Sequence, residues 1–276
     1  MLKNILKPSP RNMIDLENYC EQVAAICKDA GSYIRQEYQV FSNQNIEQKG
    51  FHDLVSYVDK EAERFLVEKL QALIPESGFI TEEDANREIS STYNWIIDPL
   101  DGTTNFIHKV PTFSVSVALI NGSELLIGVV YEINRDECFT AYKGGGAYLN
   151  GNRIQVSNAE KLSQTLLATG FPFRKFDNLD NYLAVLKSMM QQTRGIRRIG
   201  SAAADLAYTA CGRFDCFFEY NLNNYDIAAG VLLIQEAGGK VYDFYGRQNM
   251  LSEGSIIGGN PLITEIVFEE VKKHFK

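Results

Sequence analysis

The chain has 276 residues, 45% of them hydrophobic and 22% charged, with 21 Gly and 7 Pro, which excludes disorder and collagen-like repeats and leaves length for a large core. Its formal net charge of −8 opposes general binding to nucleic acid or anionic membrane, because such contacts need clustered Lys and Arg. An anionic substrate would need cations held in an acidic pocket, so phosphate handling by this chain points to metal chemistry.

The elements follow in chain order. Leu16, Tyr19, Val23, Ile26, Ala30 and Ile34 recur at helical spacing, predicting an amphipathic helix from Met13 to about Tyr38. The polar stretch Phe41 to Phe51 lacks periodicity and reads as a mobile loop or loose hairpin. A second helix runs from Ser56 or Asp59 to Ile74, with Ala62, Phe65, Leu66, Leu70 and Leu73 inward and Pro75 ending it. Ser56 and Asp59 fit a capping box, which gives Asp59 a structural role before any chemical one.

Gly78 to Thr81 reads as a short strand. Phe113 to Ile120, Leu125 to Tyr131 and Cys138 to Tyr142, with turns at Asn121-Gly122 and Asn134 to Glu137, read as an antiparallel meander. Asn150-Gly151 marks a further hairpin, and Lys143-Gly144-Gly145-Gly146 is a turn lacking any nucleotide-loop spacing. A strand at Thr165 to Thr169 is followed by helices at Leu179 to Gln191, Ser201 to Cys211, Asp226 to Ala237 and Pro261 to Phe275, with a strand at Cys216 to Glu219. This is a mixed α/β chain, expected to form a single domain over 1–276 with closely packed halves at 1–150 and 151–276.

The five cysteines show no zinc-ligand spacing, and no apolar run reaches membrane-spanning length. Free or buried thiols in a reducing cytoplasm are the expectation. The histidines His52, His108 and His274 are scattered, and no nucleophile elbow is present.

Chemistry concentrates in Trp95-Ile96-Ile97-Asp98-Pro99-Leu100-Asp101-Gly102-Thr103-Thr104-Asn105-Phe106. An apolar strand there delivers two carboxylates to the C-terminal strand end where ligand sites of α/β proteins gather. Asp98 and Asp101 suit hard cations, Leu100 offers its carbonyl oxygen, and Gly102 lets the backbone approach a ligand. Gly102, Thr103 and Thr104 open a short helical turn whose N–H groups face an anion. Asp, Pro and Gly are also the usual residues of a surface turn, and that reading stands beside the first.

Glu82 and Glu83 end the Gly78 to Thr81 strand and, taken alone, read as solvated acids. Asp226 opens an apolar helix and reads as its N-cap, a position that can also face a site at the same sheet edge.

Three motifs together resemble the inositol monophosphatase family: Gly-Phe-Ile-Thr-Glu-Glu at 78–83, the 95–106 segment, and Tyr-Asp-Ile-Ala-Ala-Gly at 225–230. Their order and spacing match as well, and the resemblance runs from Asp53-Leu54-Val55 through Gly238-Gly239. It implies a five-layered αβαβα sandwich of the inositol monophosphatase and fructose-1,6-bisphosphatase type, a homodimer, and a lithium-sensitive phosphomonoesterase using two to three Mg2+ ions.

Carried over, Glu82, Asp98 and the Leu100 carbonyl would hold one ion, and Asp98, Asp101 and Asp226 a second, with Asp98 as the bridge. A third, weaker ion would lean on Glu82. Thr103 and Glu82 would orient the attacking water, with Asp59 behind Thr103 and Glu83 further back. Gly102, Thr103 and Thr104 would bind the phosphate; Gly200, Ser201, Ala202 and Glu219 would touch the hydroxyl-bearing part of a small phosphorylated substrate. Lys49 matches a loop lysine near the site.

Tyr225 departs from the pattern, since the family usually has Trp before the last metal aspartate. The resemblance favours inositol 1-phosphate as substrate, with NADP(H) 2′-phosphatase or fructose-1,6-bisphosphatase activity as alternatives. A non-catalytic partnership with transcription machinery is the alternative of another class.

Overall fold

The computed structural model describes residues 15–42, 46–50, 53–84, 87–172 and 177–275, with backbone alone for 46–50 and 53–55. The first helix, α1 (Leu16–Val40), is capped by Asp15, whose side chain accepts the Asn18 N–H at 3.2 Å. Its buried stripe is Cys20, Val23, Cys27, Ala30, Gly31 and Ile34. Leu16, Tyr19 and Ile26 flank that stripe half-buried, because the two cysteines take the inward positions. The expected start at Met13 lies outside the described residues.

The polar segment after α1 forms a hairpin, with β1 (Ile46–Gly50) antiparallel to β2 (Asp53–Ser56). Lys49 is on β1, and its side chain lies outside the described residues. The next helix, α2 (Tyr57–Leu73), starts at a complete capping box of Ser56 and Asp59. Its buried face is Val58, Asp59, Ala62, Glu63, Leu66 and Leu70; Phe65 and Leu73, expected inward, are half-buried, and two carboxylates share the buried face with Ala62, Leu66 and Leu70. Leu66→Ala would cost about 2–5 kcal/mol, since that side chain is wholly enclosed.

A seven-stranded sheet follows in the order β3 (Gly78–Thr81), β4 (Tyr93–Asp101), β5 (Ser114–Asn121), β6 (Glu124–Glu132), β7 (Glu137–Tyr142), β8 (Gly146–Leu149) and β9 (Asn152–Ile154). Only β3 and β4 run parallel there; the other neighbours are antiparallel, as the meander predicts. A short helix, α3 (Thr103–Ile107), follows β4.

The second sheet contains β10 (Leu166–Thr169), β11 (Gly195–Arg197), β12 (Cys216–Tyr220), β13 (Lys240–Tyr242) and β14 (Ser255–Gly259), in the order β11-β10-β12-β14-β13. Here β10 is parallel to both β11 and β12. The remaining helices are α4 (Leu179–Gln192), α5 (Ala202–Ala210), α6 (Asn224–Glu236), α7 (Met250–Glu253) and α8 (Pro261–His274).

Three apolar cores separate the layers. One joins α1 and α2 to the outer face of the seven-stranded sheet, the second packs α5 and α6 between the sheets, and the third joins α4 and α8 to the far face of the five-stranded sheet. The result is the αβαβα sandwich. The strands β11, β13 and β14 and the helix α7 were not read from the sequence; runs of three to five residues show little periodicity, although β3, β10 and β12 were read at similar length.

Two expectations are corrected. Asp226 is not the N-cap of α6; the helix begins two residues earlier, Asn223 is the cap, and Asp226 in the first turn accepts the Asn223 N–H at 2.6 Å. The stretch Asp98 to Asp101 is not a turn after the strand, since β4 runs on through Asp101.

Candidate active site

The pairing of β4 with β5 explains how two acids three positions apart come to one side. Asp98 is opposite Ser116 and Asp101 opposite Ser114, so three steps on β4 match two on β5. One extra residue makes a β-bulge. Residues i and i+3 of a regular strand face opposite ways, but the bulge restores the phase, and both acids share the face of the two serines. Pro99 fits there because a bulge frees it from donating an N–H.

The parallel register Thr81 to Ile97 then sets Glu82 beside Asp98 at the ends of β3 and β4. Glu82 and Asp98 lie within hydrogen-bonding reach of each other, and both are pushed well above the usual carboxylate range. Burial is the main cause. Asp226 and Glu83 add to it for Glu82, while Glu82, Asp101 and Asp226 add to it for Asp98. Four carboxylates, from just past β3, from β4 and from the start of α6, therefore gather together, Asp98 buried and the other three half-buried.

Asp101 is held from the other side. Its Oδ2 accepts Ser201 Oγ at 2.6 Å and the Ala203 N–H at 2.7 Å, at the start of α5. Burial still raises its carboxyl to about 6, against the lowering effect of those bonds and of Arg198. Leu100 is fully buried, its N–H donating to Asp98 Oδ1 at 3.0 Å and its carbonyl 3.0 Å from Thr103 Oγ1.

Thr103 also faces Asp59, whose Oδ1 lies 3.0 Å from its hydroxyl. Asp59 Oδ2 accepts the Ser56 N–H at 2.9 Å and the Ser56 hydroxyl at 2.7 Å, and burial raises its carboxyl despite them. The capping and chemical readings of Asp59 thus coexist in one side chain. Gly102 adopts φ +97, and a Cβ there would sit 3.1 Å from the Thr112 carbonyl and 3.2 Å from that of Gly200. Glycine is required on both counts.

Glu219 enters from the second sheet. Its carboxyl lies over Gly170 at the C-terminal ends of the parallel strands β10 and β12, where a Cβ on Gly170 would come within 2.0 Å of it. Burial, then Asp226, push Glu219 up to about 8, while Arg198 pulls the other way. Ser201 is buried, caps α5 and donates to Asp101, so its hydroxyl supports an acid in this structure. Ala202 is buried beside it, and Gly200 lies just before it at φ +91. Thr104 is exposed in the first turn of α3 and Glu83 is half-buried next to Glu82.

Asn105 was not anticipated from sequence. Its Nδ2 donates to the Thr112 and Ile199 carbonyls, both at 2.8 Å, and so ties α3 to the segment carrying Gly200. An Asn enclosed among Thr, Phe and Ile in a five-residue helix was the available signal.

The donors are all oxygens: four carboxylates and the Leu100 carbonyl, which is the chemistry of a hard cation. Burial and mutual repulsion keep Glu82 and Asp98 raised, Arg198 acts on Asp101, and a divalent cation would supply the compensating charge. Among the described residues no three acidic, histidine or cysteine side chains are already closed around one point as metal ligands. Asp101 and Asp226 are instead turned onto Ser201 and Asn223. The fit is one of donor type and neighbourhood.

The inositol monophosphatase family model matches residues 15–276. The chain belongs to the inositol monophosphatase family. It is 44% identical over 252 residues to Nus factor SuhB of Pseudomonas aeruginosa, covering 90% of this chain and 93% of that one. It is 42% identical over 245 residues to inositol-1-monophosphatase of Mesorhizobium japonicum, covering 88% and 92%.

The solved structure of the extragenic suppressor protein suhB from Bartonella henselae superposes with a TM-score of 0.88 at 38% identity, over 93% of this chain and 99% of that one. Family membership supports a phosphatase, in a family that is generally metal-dependent. No helix among the described residues is long and apolar enough to cross a membrane.

Proposed function

We propose that this inositol monophosphatase family member is an Mg2+-dependent phosphomonoesterase acting on inositol 1-phosphate or a similar small polyol phosphate. The observation that carries the reading is the gathering of Glu82, Asp98, Asp101 and Asp226 into one cluster of buried and half-buried acids near Thr103. Glu82, Asp98, Asp101, Asp226 and the Leu100 carbonyl would hold two to three ions, with Asp98 common to two of them. Bound Mg2+ would neutralise phosphoryl oxygens, lower the pKa of a water and stabilise the leaving oxygen.

The protein's own groups supply position. Asp59 accepts the Thr103 hydroxyl proton, which leaves the Thr103 oxygen turned to accept from the attacking water, and Glu82 takes up that water's proton. Gly102, Thr103 and Thr104 present the phosphate-binding backbone. Gly200, Ser201, Ala202 and Glu219 would meet the substrate hydroxyls; Glu219 would accept from them, and a carboxyl raised to about 8 can also donate to them. Lys49 and Glu83 would act from the periphery.

Phosphate release from inositol 1-phosphate, fructose 1,6-bisphosphate and NADP, with and without Mg2+ and Li+, tests the reading. Hydrolysis of the inositol ester, abolished by a chelator and inhibited by Li+, is expected. Preference for NADP or the bisphosphate would move the substrate assignment, and no hydrolysis of any ester would end it. A homodimer in the cytoplasm is the expected working form, checked by light scattering and cell fractionation.

A second reading, a non-catalytic partnership with transcription machinery, is supported by the P. aeruginosa relative being named a Nus factor. A catalytically dead variant that still performs the cellular role would favour it.

A further inference from the structure

Helix α2 carries two buried carboxylates one turn apart. Asp59 serves Thr103, and Glu63, four residues on, is 2% exposed among Ala62, Leu66 and Leu70, which are at 0%. A carboxylate so enclosed persists where hydrogen bonds hold it, and both oxygens of Glu63 are bonded. Oε1 accepts from Thr81 Oγ1 at 3.1 Å and Arg87 Nη2 at 3.2 Å, while Oε2 accepts the Glu83 N–H at 2.8 Å.

These bonds bracket one residue. Thr81 precedes Glu82 and Glu83 follows it. The ladder between β3 and β4 ends at Thr81 opposite Ile97, so Glu82 lies beyond the last paired residue. Glu63 takes the Glu83 N–H in place of a strand partner. Arg87, 3.7 Å from Asp84 Oδ2, ties the chain just past Glu83 to the same anchor, and Thr81 Oγ1 is also 3.1 Å from the Asp84 carbonyl.

We infer that Glu63 is a positioning residue for Glu82, fixing the backbone on both sides of it so that its carboxyl stands against Asp98, and thereby sets the affinity of the acid cluster for a divalent cation. Glu63 reaches neither ion nor substrate and acts through Glu82. The inference rests on the proposed role of Glu82 as an ion ligand. A merely structural Glu63–Arg87 ion pair would produce the same static contacts, so the test must read ion binding separately from folding.

The measurement is Mg2+ titration calorimetry on the substrate-free full chain, for wild type, Glu63→Gln, Glu82→Gln and the double variant, beside thermal unfolding and steady-state kinetics. Glu63→Gln is expected to weaken Mg2+ binding about tenfold or more and lower kcat, with KM at saturating Mg2+ nearly unchanged. In the Glu82→Gln background it should add less than about twofold, because coupled neighbours are not additive. If Glu63→Gln does not fold, Thr81→Val removes one of the bracketing donors and should weaken Mg2+ binding about fivefold.

Mg2+ affinity unchanged in Glu63→Gln, or in Thr81→Val where that variant stands in, would overturn the inference. Full additivity with Glu82→Gln would do the same. Mg2+ binding unaffected by Glu82→Gln alone would remove the Glu82 assignment itself, and with it the role of Glu63.

Discussion

Thr103 Oγ1 and Asp59 Oδ1 meet at 3.0 Å across 44 residues of sequence, and the same carboxylate closes the first turn of α2 through Ser56. Its two oxygens therefore answer to different substitutions. Ser56→Ala should cost about 1 kcal/mol in urea unfolding and leave turnover largely intact. Thr103→Ser keeps the hydroxyl and should keep most activity, whereas Thr103→Val should lose about a hundredfold in kcat. Equal loss of turnover in Ser56→Ala and Thr103→Val would mean that the two oxygens of Asp59 do not act separately.

Asp101→Asn should retain the fold, because an amide oxygen can still accept from Ser201 and Ala203, yet lose nearly all turnover with the charge. Ser201→Ala removes the bond at 2.6 Å and should raise the Mg2+ concentration for half-maximal rate about tenfold. A KM effect without an Mg2+ effect would mean that Ser201 serves the substrate alone.

The acids also set a pH signature. Asp101 is raised to about 6 and Glu219 to about 8, from ordinary values of 3.8 and 4.5, and Glu82 and Asp98 move in the same direction. The folded protein thus binds protons that the unfolded chain releases. Their stabilising contribution is complete below the ordinary carboxylate values and is lost as pH rises through 6 and then 8.

Metal-free Tm should fall from about pH 5 to about pH 8, and Mg2+ should raise Tm more at the upper end, where the ligands are ionised. A metal-free Tm that climbs steadily over that range would contradict the acid cluster.

Gly170 offers a test of substrate recognition without touching the acids. A Cβ there would meet the Glu219 carboxyl at 2.0 Å, so Gly170→Ala must displace it. Hydrolysis of inositol 1-phosphate should weaken about tenfold in kcat/KM, while p-nitrophenyl phosphate, which has no polyol, should be cleaved as before. Equal losses on both esters would detach Glu219 from hydroxyl recognition.

How far the sequence speaks depends on the kind of signal. The α2 cap, the meander and the strand leading to Asp98 were legible because caps, alternation and turn residues are local. The gathering of Glu82, Asp98, Asp101 and Asp226 was visible only through the motif resemblance, since no local rule says that the ends of β3 and β4 and the start of α6 meet. The bond from Ser201 to Asp101 was not legible in the sequence, because it depends on a side-chain rotamer. Glu63 was overlooked because a Glu on a helix reads as solvent-facing, although its place in the stripe with Ala62, Leu66 and Leu70 marked it as an intruder. The strands β13 and β14 were not read, since segments so short show little periodicity.

The bulge at Pro99-Leu100 has one more implication. A single extra residue lets two acids three positions apart share one face with the Leu100 carbonyl between them, so removing Leu100 would regularise the strand, keep Asp98 and Asp101 on that face two positions apart, and take away that carbonyl without adding or deleting any charge. We expect such a deletion to weaken ion binding and turnover while the outer surface stays native. Its behaviour in a cell would then show which of the chain's duties belong to chemistry and which to shape alone.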